Sequence, residues 1–402
     1  MLVLVVNAGS SSLKYQLIDM SNEQVLAKGI TERLGTPESF LSQQVTDKEN
    51  ATIKADMPDH TSAMRYVFQA LTDPATGAIK DVSEISAIGH RVVHGGEDFS
   101  GSIQIDQKVI KAISKLSRLA PLHNPPNLMG IEAAMKFMPD TQEVAVFDTA
   151  FHQTIPSHAF IYALPYNLYE EHGIRRYGFH GTSHQYVANR ARKTLEKRGL
   201  PSGKIVTCHI GNGVSFTAVK DGKSVDTSMG LTPVEGLVMG TRSGDIDPAI
   251  LPTLQTQFGY SANDVDDLIN KKSGLLGITG IGNDMRDIQD AAKNGNERAI
   301  LALRIFCYRQ RKYIGAYAAA MGGLDAIVFT AGIGEHSPLV RSMTCEGLEF
   351  LGVKLNEDVN AVCHSEQDIS TEDSRVRVLV VPTNEELTIA RETVRVVSGE
   401  AE

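Results

Sequence analysis

The sequence is poor in the features that would place it outside the cell or on a polyanion. Its four cysteines, Cys208, Cys307, Cys345 and Cys363, are scattered and form no C-x-x-C pair. That excludes a disulfide framework or a cysteine zinc site and points to free thiols in a reducing compartment. Basic charge is in deficit, with 39 Lys and Arg against 48 Asp and Glu and a net charge of −9. Neither nucleic acid nor an anionic membrane is expected as a partner, because both need a basic face. A local basic pocket for a small anion is compatible with that balance. Long hydrophobic runs are missing: the longest small-apolar stretch, Ile314 to Leu324, stops at Asp325, too short to span a bilayer. The first apolar run has no basic segment ahead of it and ends at Asn7, so no signal peptide is expected and the protein reads as cytoplasmic. The acceptor pattern Asn50-Ala51-Thr52 is then without consequence. No low-complexity tract marks a linker. At 402 residues and 42% hydrophobic content, a globular protein of two or three domains follows.

Against those absences stands one loop. Leu2-Val3-Leu4-Val5-Val6 reads as a strand, and Leu13, Tyr15 and Leu17 alternate with Lys14 and Gln16 as a second. NAGSSSLK (7–14) lies between them, with the small and basic residues of a phosphate cradle but without the P-loop spacing. Residues 204–219, KIVTCHIGNGVSFTAV, echo it, with Asn212-Gly213-Val214-Ser215 against Asn7-Ala8-Gly9-Ser10. Two such hairpins indicate two similar halves offering their loops to a shared cleft; two unrelated Asn-Gly turns are the alternative. Elsewhere strands end in Gly-rich or polar loops: HRVVHGG (90–96), Asp148 after Glu143–Phe147, and TAGIGEHS (330–337) after Asp325–Phe329. Ser337-Pro338 and Asp247-Pro248 both predict helix starts. Thr383 and Glu386 have capping-box spacing, and Thr182-Ser183 reads as a cap placing His180 just before a helix. The pattern is that of an α/β protein with ligands at strand-end loops.

Anion chemistry requires fixed positive charge and backbone N–H groups. Arg91, Arg242 and Lys14 lie in glycine-rich or turn-like surroundings. His90/His94 and His180/His184 have i, i+4 spacing but lack the glutamate of H-E-x-x-H. His180 is read as a donor to an anion or as a structural histidine. Asp148 positions a metal or water, or anchors its turn. Glu385 projects toward Mg²⁺, or is an acid favoured in a first helical turn. Gly280-Ile281-Gly282 and Gly332-Ile333-Gly334 lack the third glycine of a dinucleotide fingerprint.

These segments, with FDTAFH (147–152), RRYGFHGTSH (175–184), TSMGLTPVEGLVMGTRSGDIDP (227–248) and TNEE (383–386), resemble the acetate kinases end to end. The resemblance implies two duplicated actin-like (ribonuclease H-like) α/β domains with the active site in the cleft between them. Residues 1–147 plus 387–402 would form the first domain and 148–386 the second. It implies reversible transfer from ATP to acetate, giving acetyl phosphate and ADP, with Mg²⁺ or Mn²⁺, in a homodimer. Propionate kinase of the same family is the near alternative, and an actin- or chaperone-like conformational ATPase the distant one. By the same resemblance, Asp148, His180, Arg242 and Arg91 are catalytic. Arg91, Val93, Leu122, Phe179 and Pro233 bind the carboxylic acid, and Asn7 and Glu385 hold the metal. Lys14, His209, Ile210, Gly211, Asn212, Gly213, Asp284, Met285, Arg286, Gly332, Ile333, Gly334, Glu335 and His336 bind the nucleotide. His336 departs from the asparagine common at its position.

Overall fold

The computed structural model describes residues 1–400. The chain forms two compact units, Met1–Ala150 with the chain from Asn384 onward, and Phe151–Thr383. The first contains eight strands: β1 (Leu2–Ala8), β2 (Ser12–Asp19), β3 (Gln24–Glu32), β4 (Phe40–Val45), β5 (Ala51–Lys54), β6 (Ile85–Val92), β7 (Ile103–Gln104) and β8 (Gln142–Phe147). Their order is β5-β4-β3-β2-β1-β6-β8-β7. β6 is parallel to β1 and to β8, and the remaining pairs are antiparallel. In β2 the apolar Leu13, Tyr15 and Leu17 are buried and Lys14 is exposed, as period-two alternation requires.

Alternate residues of β1 serve opposite faces. Leu4 and Val6 pack with Met64 and Val67 of the helix His60–Leu71 and Ala133 and Ala134 of the helix Asn124–Phe137. Val3 and Val5 pack with Ile389 and Ala390 of the helix Glu385–Val397. Gly130 allows the closest approach: a Cβ there would lie 2.7 Å from the Ala8 Cβ, so only glycine brings the helix Asn124–Phe137 onto the end of β1.

The second unit repeats the plan with six strands: β9 (Lys204–Ile210), β10 (Val214–Lys220), β11 (Lys223–Thr227), β12 (Ala326–Thr330), β13 (Gln367–Asp368) and β14 (Arg377–Val380), in the order β11-β10-β9-β12-β14-β13. β12 is parallel to β9 and to β14, and the other pairs are antiparallel. Strand for strand this matches β3-β2-β1-β6-β8-β7, with β4 and β5 as additions to the first sheet, so the echo between residues 7–14 and 204–219 is one of topology. β12, AIVFT, is buried throughout, as a central parallel strand must be. The helix Gly181–Lys197 packs Val187, Ala191 and Leu195 with Ile205, Val328 and Leu379. Among the described residues, no helix is long and apolar enough to cross a membrane.

Three helix starts differ from the sequence expectation, each because a side chain makes another bond. Asp247 accepts from Ala249 N at 2.9 Å in a local turn, and the helix begins only at Ile250, so Pro248 is not its first residue. Thr383 Oγ1 lies 2.8 Å from Ser183 Oγ; the cap is Asn384, accepting from Leu387 N, and Thr383–Glu386 is not a capping box. Ser183 also engages His209, and the residue at the cap position before Gly181 is His180 itself, with no side-chain cap bond.

The helix Ala331–His336, which carries the GIGEH segment, is held at its C-terminal end by Arg341. This fully buried guanidinium donates to Gly334 O (3.0 Å), Glu335 O (2.8 Å), Asn360 O (2.9 Å) and Asn360 Oδ1 (2.7 Å). It satisfies carbonyls that a helix end leaves open. Arg341→Met keeps most of the packing volume but strands those acceptors. It is expected to lower stability by about 3 kcal/mol, measured from the urea midpoint at unchanged slope; a loss too small to resolve would contradict this role.

Candidate functional site

In the first unit several of the candidate groups lie at the ends of β1, β6 and β8. Asn7 and Lys14 are cross-strand partners in the β1–β2 hairpin. A cavity of about 440 Å³ opens beside them, lined by Asn7, Lys14, Gln16, Lys28 and Glu386 among others. Arg91, near the end of β6, forks onto Asp148, which follows β8. Nε lies 3.2 and 3.1 Å from the two carboxylate oxygens, and Nη2 donates to Oδ2 at 2.5 Å. Nη1 is 3.4 Å from Asn7 Oδ1. Burial opposes the charge on Arg91, but Asp148, Glu385 and Glu386 outweigh it and raise the guanidinium pKa. Asp148 is fully buried. Glu385 stands in the first turn of the helix Glu385–Val397. Val93 is buried, whereas Leu122 is 70% exposed.

In the second unit four histidines share one neighbourhood. His180 sits at φ 56° immediately before the helix Gly181–Lys197, a conformation that costs a non-glycine residue energy. The preceding turn is fixed at Gly178, φ 78°, where a Cβ would meet the His152 ring and Thr227. His152 Nε2 donates to Phe179 O (3.0 Å), and its Nδ1 accepts from Ser224 Oγ (2.9 Å).

Behind His180 lies a chain of hydrogen bonds. Thr207 Oγ1 lies 3.4 Å from Thr217 O and 2.7 Å from His184 Nδ1. Burial, with the charges His152 and His209 would carry, holds His184 well below the usual histidine range and therefore neutral. Its Nε2 lies 2.7 Å from Ser215 Oγ, and Ser215 Oγ lies 2.8 Å from His180 Nδ1. A single serine hydroxyl therefore joins the His180 and His184 rings. The His180 and His209 rings stack with centroids 4.1 Å apart.

Arg242 lies on the irregular segment between β11 and the helix Ile250–Phe258. Nη1 contacts Pro233 O (3.4 Å) and the Met239 sulfur (3.8 Å), and among the described residues no carboxylate pairs with it. Burial lowers its pKa, though a guanidinium remains charged. Residues outside the sequence reading shape this segment. Arg176 donates to Thr227 O (2.6 Å) and Glu235 Oε1 (2.7 Å), Tyr162 donates to Glu235, and Asp245 bridges Gly236 N (2.8 Å) and the Tyr313 hydroxyl (2.6 Å). Their one sequence signal is the doublet Arg175-Arg176 beside aromatic residues.

The β9–β10 loop brings several of these groups together. A Cβ on Gly213 would lie 3.3 Å from His180 Cε1 and 3.4 Å from Arg242 Nη1, and one on Gly211 3.9 Å from Ala331 Cβ. Asn212 Oδ1 accepts from Asn283 Nδ2 (2.8 Å) and Asn212 O from Gly240 N (3.0 Å). His209–Gly213, Asn283–Asp284 and the helix Ala331–His336 are therefore neighbours around one loop. Within them Ile210 and Met285 are buried. Asp284 is spent on Arg286, at 2.6 Å on the surface, and that pairing holds its carboxyl near about 2. Glu335 accepts from Thr383 N (3.1 Å), and His336 Nδ1 lies 3.0 Å from Gly332 O. Phe179 is buried, and Pro233 is the residue whose carbonyl meets Arg242.

Comparison with known proteins follows the same lines. The acetokinase family model matches residues 2–391. The chain is 58% identical over 400 residues to an acetate kinase of Caldanaerobacter subterraneus subsp. tengcongensis, spanning 99% of this chain and 100% of that one. It is 56% identical over 400 residues to an acetate kinase of Methanosarcina thermophila, spanning 100% and 98%. The structure of Porphyromonas gingivalis acetate kinase superposes with a TM-score of 0.94 at 50% identity, over 98% of this chain and 99% of that one. A propionate kinase from Francisella tularensis superposes at 0.91 with 41% identity, over 98% and 99%.

The His152 contact makes a prediction of its own. Burial lowers its pKa from the ordinary 6.5 to about 4. The unfolded chain gains a proton near 6.5 that the folded chain refuses until about 4, so this stability is fully present above 6.5 and drains away as pH falls toward 4. At pH 5 the loss is about 2 kcal/mol. His152→Gln, which retains a donor for Phe179 O, is expected to show a correspondingly smaller difference between its urea midpoints at pH 7 and pH 5. Equal pH dependence in the two proteins would refute the assignment.

Proposed function

The chain belongs to the acetokinase family, and from that premise we propose that it transfers the γ-phosphoryl group of ATP to acetate, reversibly, giving acetyl phosphate and ADP. The observation that carries the reading is Arg242, a partly buried guanidinium with no carboxylate partner among the described residues, beside His180 at Gly213. Such a charge is costly unless an anion arrives to meet it.

The chemistry needs neutralisation more than proton transfer. A carboxylic acid ordinarily loses its proton near pH ~4 and is already ionised at neutrality, so no general base is required for attack. Asp148, bidentate to Arg91, then serves to hold that arginine charged and oriented. The obstacle is one anion meeting another, in a loose transition state with charge spread over the transferring group. Arg91, Arg242, Lys14 and His180 offset that charge. The N-terminus of the helix Gly181–Lys197 adds its dipole. Direct in-line transfer requires only this positioning, and no phosphohistidine intermediate.

Asn7 and Glu385 offer a carbonyl oxygen and a carboxylate, the hard donors Mg²⁺ takes when phosphates and water supply the rest. Asn7 Oδ1 is held by Arg91 only at 3.4 Å, a contact long enough to yield to an ion. When bound at Asn7 and Glu385, Mg²⁺ or Mn²⁺ would lower the charge that the transferring group presents to the acid. The loops His209–Gly213, Asp284–Arg286 and Gly332–His336 are assigned to the nucleotide, and Val93, Leu122, Phe179 and Pro233 to the substrate methyl. The four buried free thiols suit a reducing compartment, and a cytoplasmic homodimer completes the proposal.

Two measurements check it. A hydroxamate assay for acyl phosphate, run over a panel of short acids, is expected to give the highest kcat/KM for acetate. Propionate should follow within the ~10- to 200-fold that one methylene allows; a preference for propionate would reassign the substrate, and turnover independent of any acid would end the kinase reading. Arg242→Ala should lower kcat by roughly 10³-fold or more while KM for ATP changes little. Near-normal kcat in that variant would remove Arg242 from the mechanism.

A further inference from the structure

β1 and β6 run side by side as parallel strands, but their ladder ends at Val6 and His90. The residues that matter lie just beyond, at Asn7 and Arg91, where backbone pairing no longer sets the spacing. Asn127, on the first turns of the helix Asn124–Phe137, spans the gap. Its side chain is 3% exposed. Oδ1 accepts from Val93 N at 3.0 Å, and Nδ2 donates to Ala8 O at 2.7 Å. A primary amide offers one acceptor and donors in one plane, the same pair of groups a strand residue offers its neighbours. Asn127 therefore supplies by side chain a rung the ladder lacks.

The surroundings fix that rung from the other side. Asn124, fully buried, accepts from His94 N (3.1 Å) and donates to His94 O (3.0 Å). Gly95 N donates to Thr149 Oγ1 (3.0 Å), next to Asp148. Gly130, one helical turn beyond Asn127, lets the helix close on Ala8. The sequence HNPPN (123–127) thus places two amides one turn apart on the strand-end loops.

We propose that Asn127 is a positioning residue for phosphoryl transfer, whose amide sets the separation between the phosphate loop at Asn7 and the guanidinium of Arg91. The proposal rests on the kinase reading given above. Asn127 touches no reacting atom; it acts through Ala8 and Val93, the immediate neighbour of Asn7 and the second residue after Arg91. A change of an ångström in that separation degrades alignment of the reacting groups rather than the affinity for nucleotide.

The test uses the full-length chain and Asn127→Leu, which keeps the volume and removes both bonds. Its kcat is expected to fall by about ten-fold or more with KM for ATP altered by less than about three-fold. Hydrogen exchange of the 93–96 segment should accelerate while that of β1 and β6 does not. Combined with Arg91→Ala, the substitution should cost no more than about a further two-fold, because the two act through one contact; a merely structural residue would multiply its full loss onto that background. Asn127→Ser, too short to bridge both groups, should behave in the same direction and serves if the leucine variant does not fold. The proposal is overturned by kcat within about two-fold of wild type, by full multiplication onto Arg91→Ala, or by unchanged exchange of 93–96. Failure of the kinase reading is separate, since it shows in the wild-type protein as the absence of acyl phosphate from every acid tried.

Discussion

A guanidinium taken out of water with no carboxylate beside it raises the energy of the protein that holds it, and Arg242 is in that position. Arg91 is not, because Asp148 answers its charge directly. The two arginines solve desolvation in opposite ways, and the difference suits two roles. The paired one is rigid and oriented by a fork of three contacts. The unpaired one keeps its charge for an anion that is not part of the protein. Much of the second unit is arranged to tolerate this. The segment carrying Arg242 has no strand or helix of its own, so its shape comes from side chains: Arg176 on Thr227 O and Glu235, Asp245 on Gly236 N and Tyr313. A surface loop without such ties could not hold a charged group half out of water.

The histidines follow a related logic. His152 and His184 are buried deeply enough to stay neutral, and their neutrality shapes the network. A charged His184 would donate from both nitrogens, and Ser215 would have to turn its hydroxyl elsewhere. Kept neutral, His184 has one donor and one acceptor, and Ser215 couples it to His180. The left-handed backbone at His180 is the local cost of placing that ring at the start of a helix, and the His152 bond to Phe179 O is among the contacts that offset it.

Particular residues mark how far the sequence could be read. The β1–β2 and β9–β10 hairpins were legible because alternation and an Asn-containing loop are local signals. The duplication was legible because those signals recur, and the family because GTRSGDIDP and its companions are long and specific. Helix starts were less so. Thr383, Asp247 and Ser183 have the chemistry of caps, but a hydroxyl or carboxylate bonds to whatever lies nearest, and in this fold that is Ser183, Ala249 N and His209 respectively. Arg176, Asn127 and Tyr313 carried almost no signal, because each acts on a partner 30 or more residues away.

Sequence by itself determined the class of fold, the two related halves, the residue types that could meet an anion, and the family. These rest on periodicity, composition and short motifs, which act over a few residues. Tertiary structure alone decided that Arg91 is paired and Arg242 is not, that one serine hydroxyl joins His180 to His184, and that a side-chain amide replaces a missing rung between β1 and β6. Each depends on burial and on hydrogen bonding between groups far apart in the chain, and neither exists until the sheets have formed.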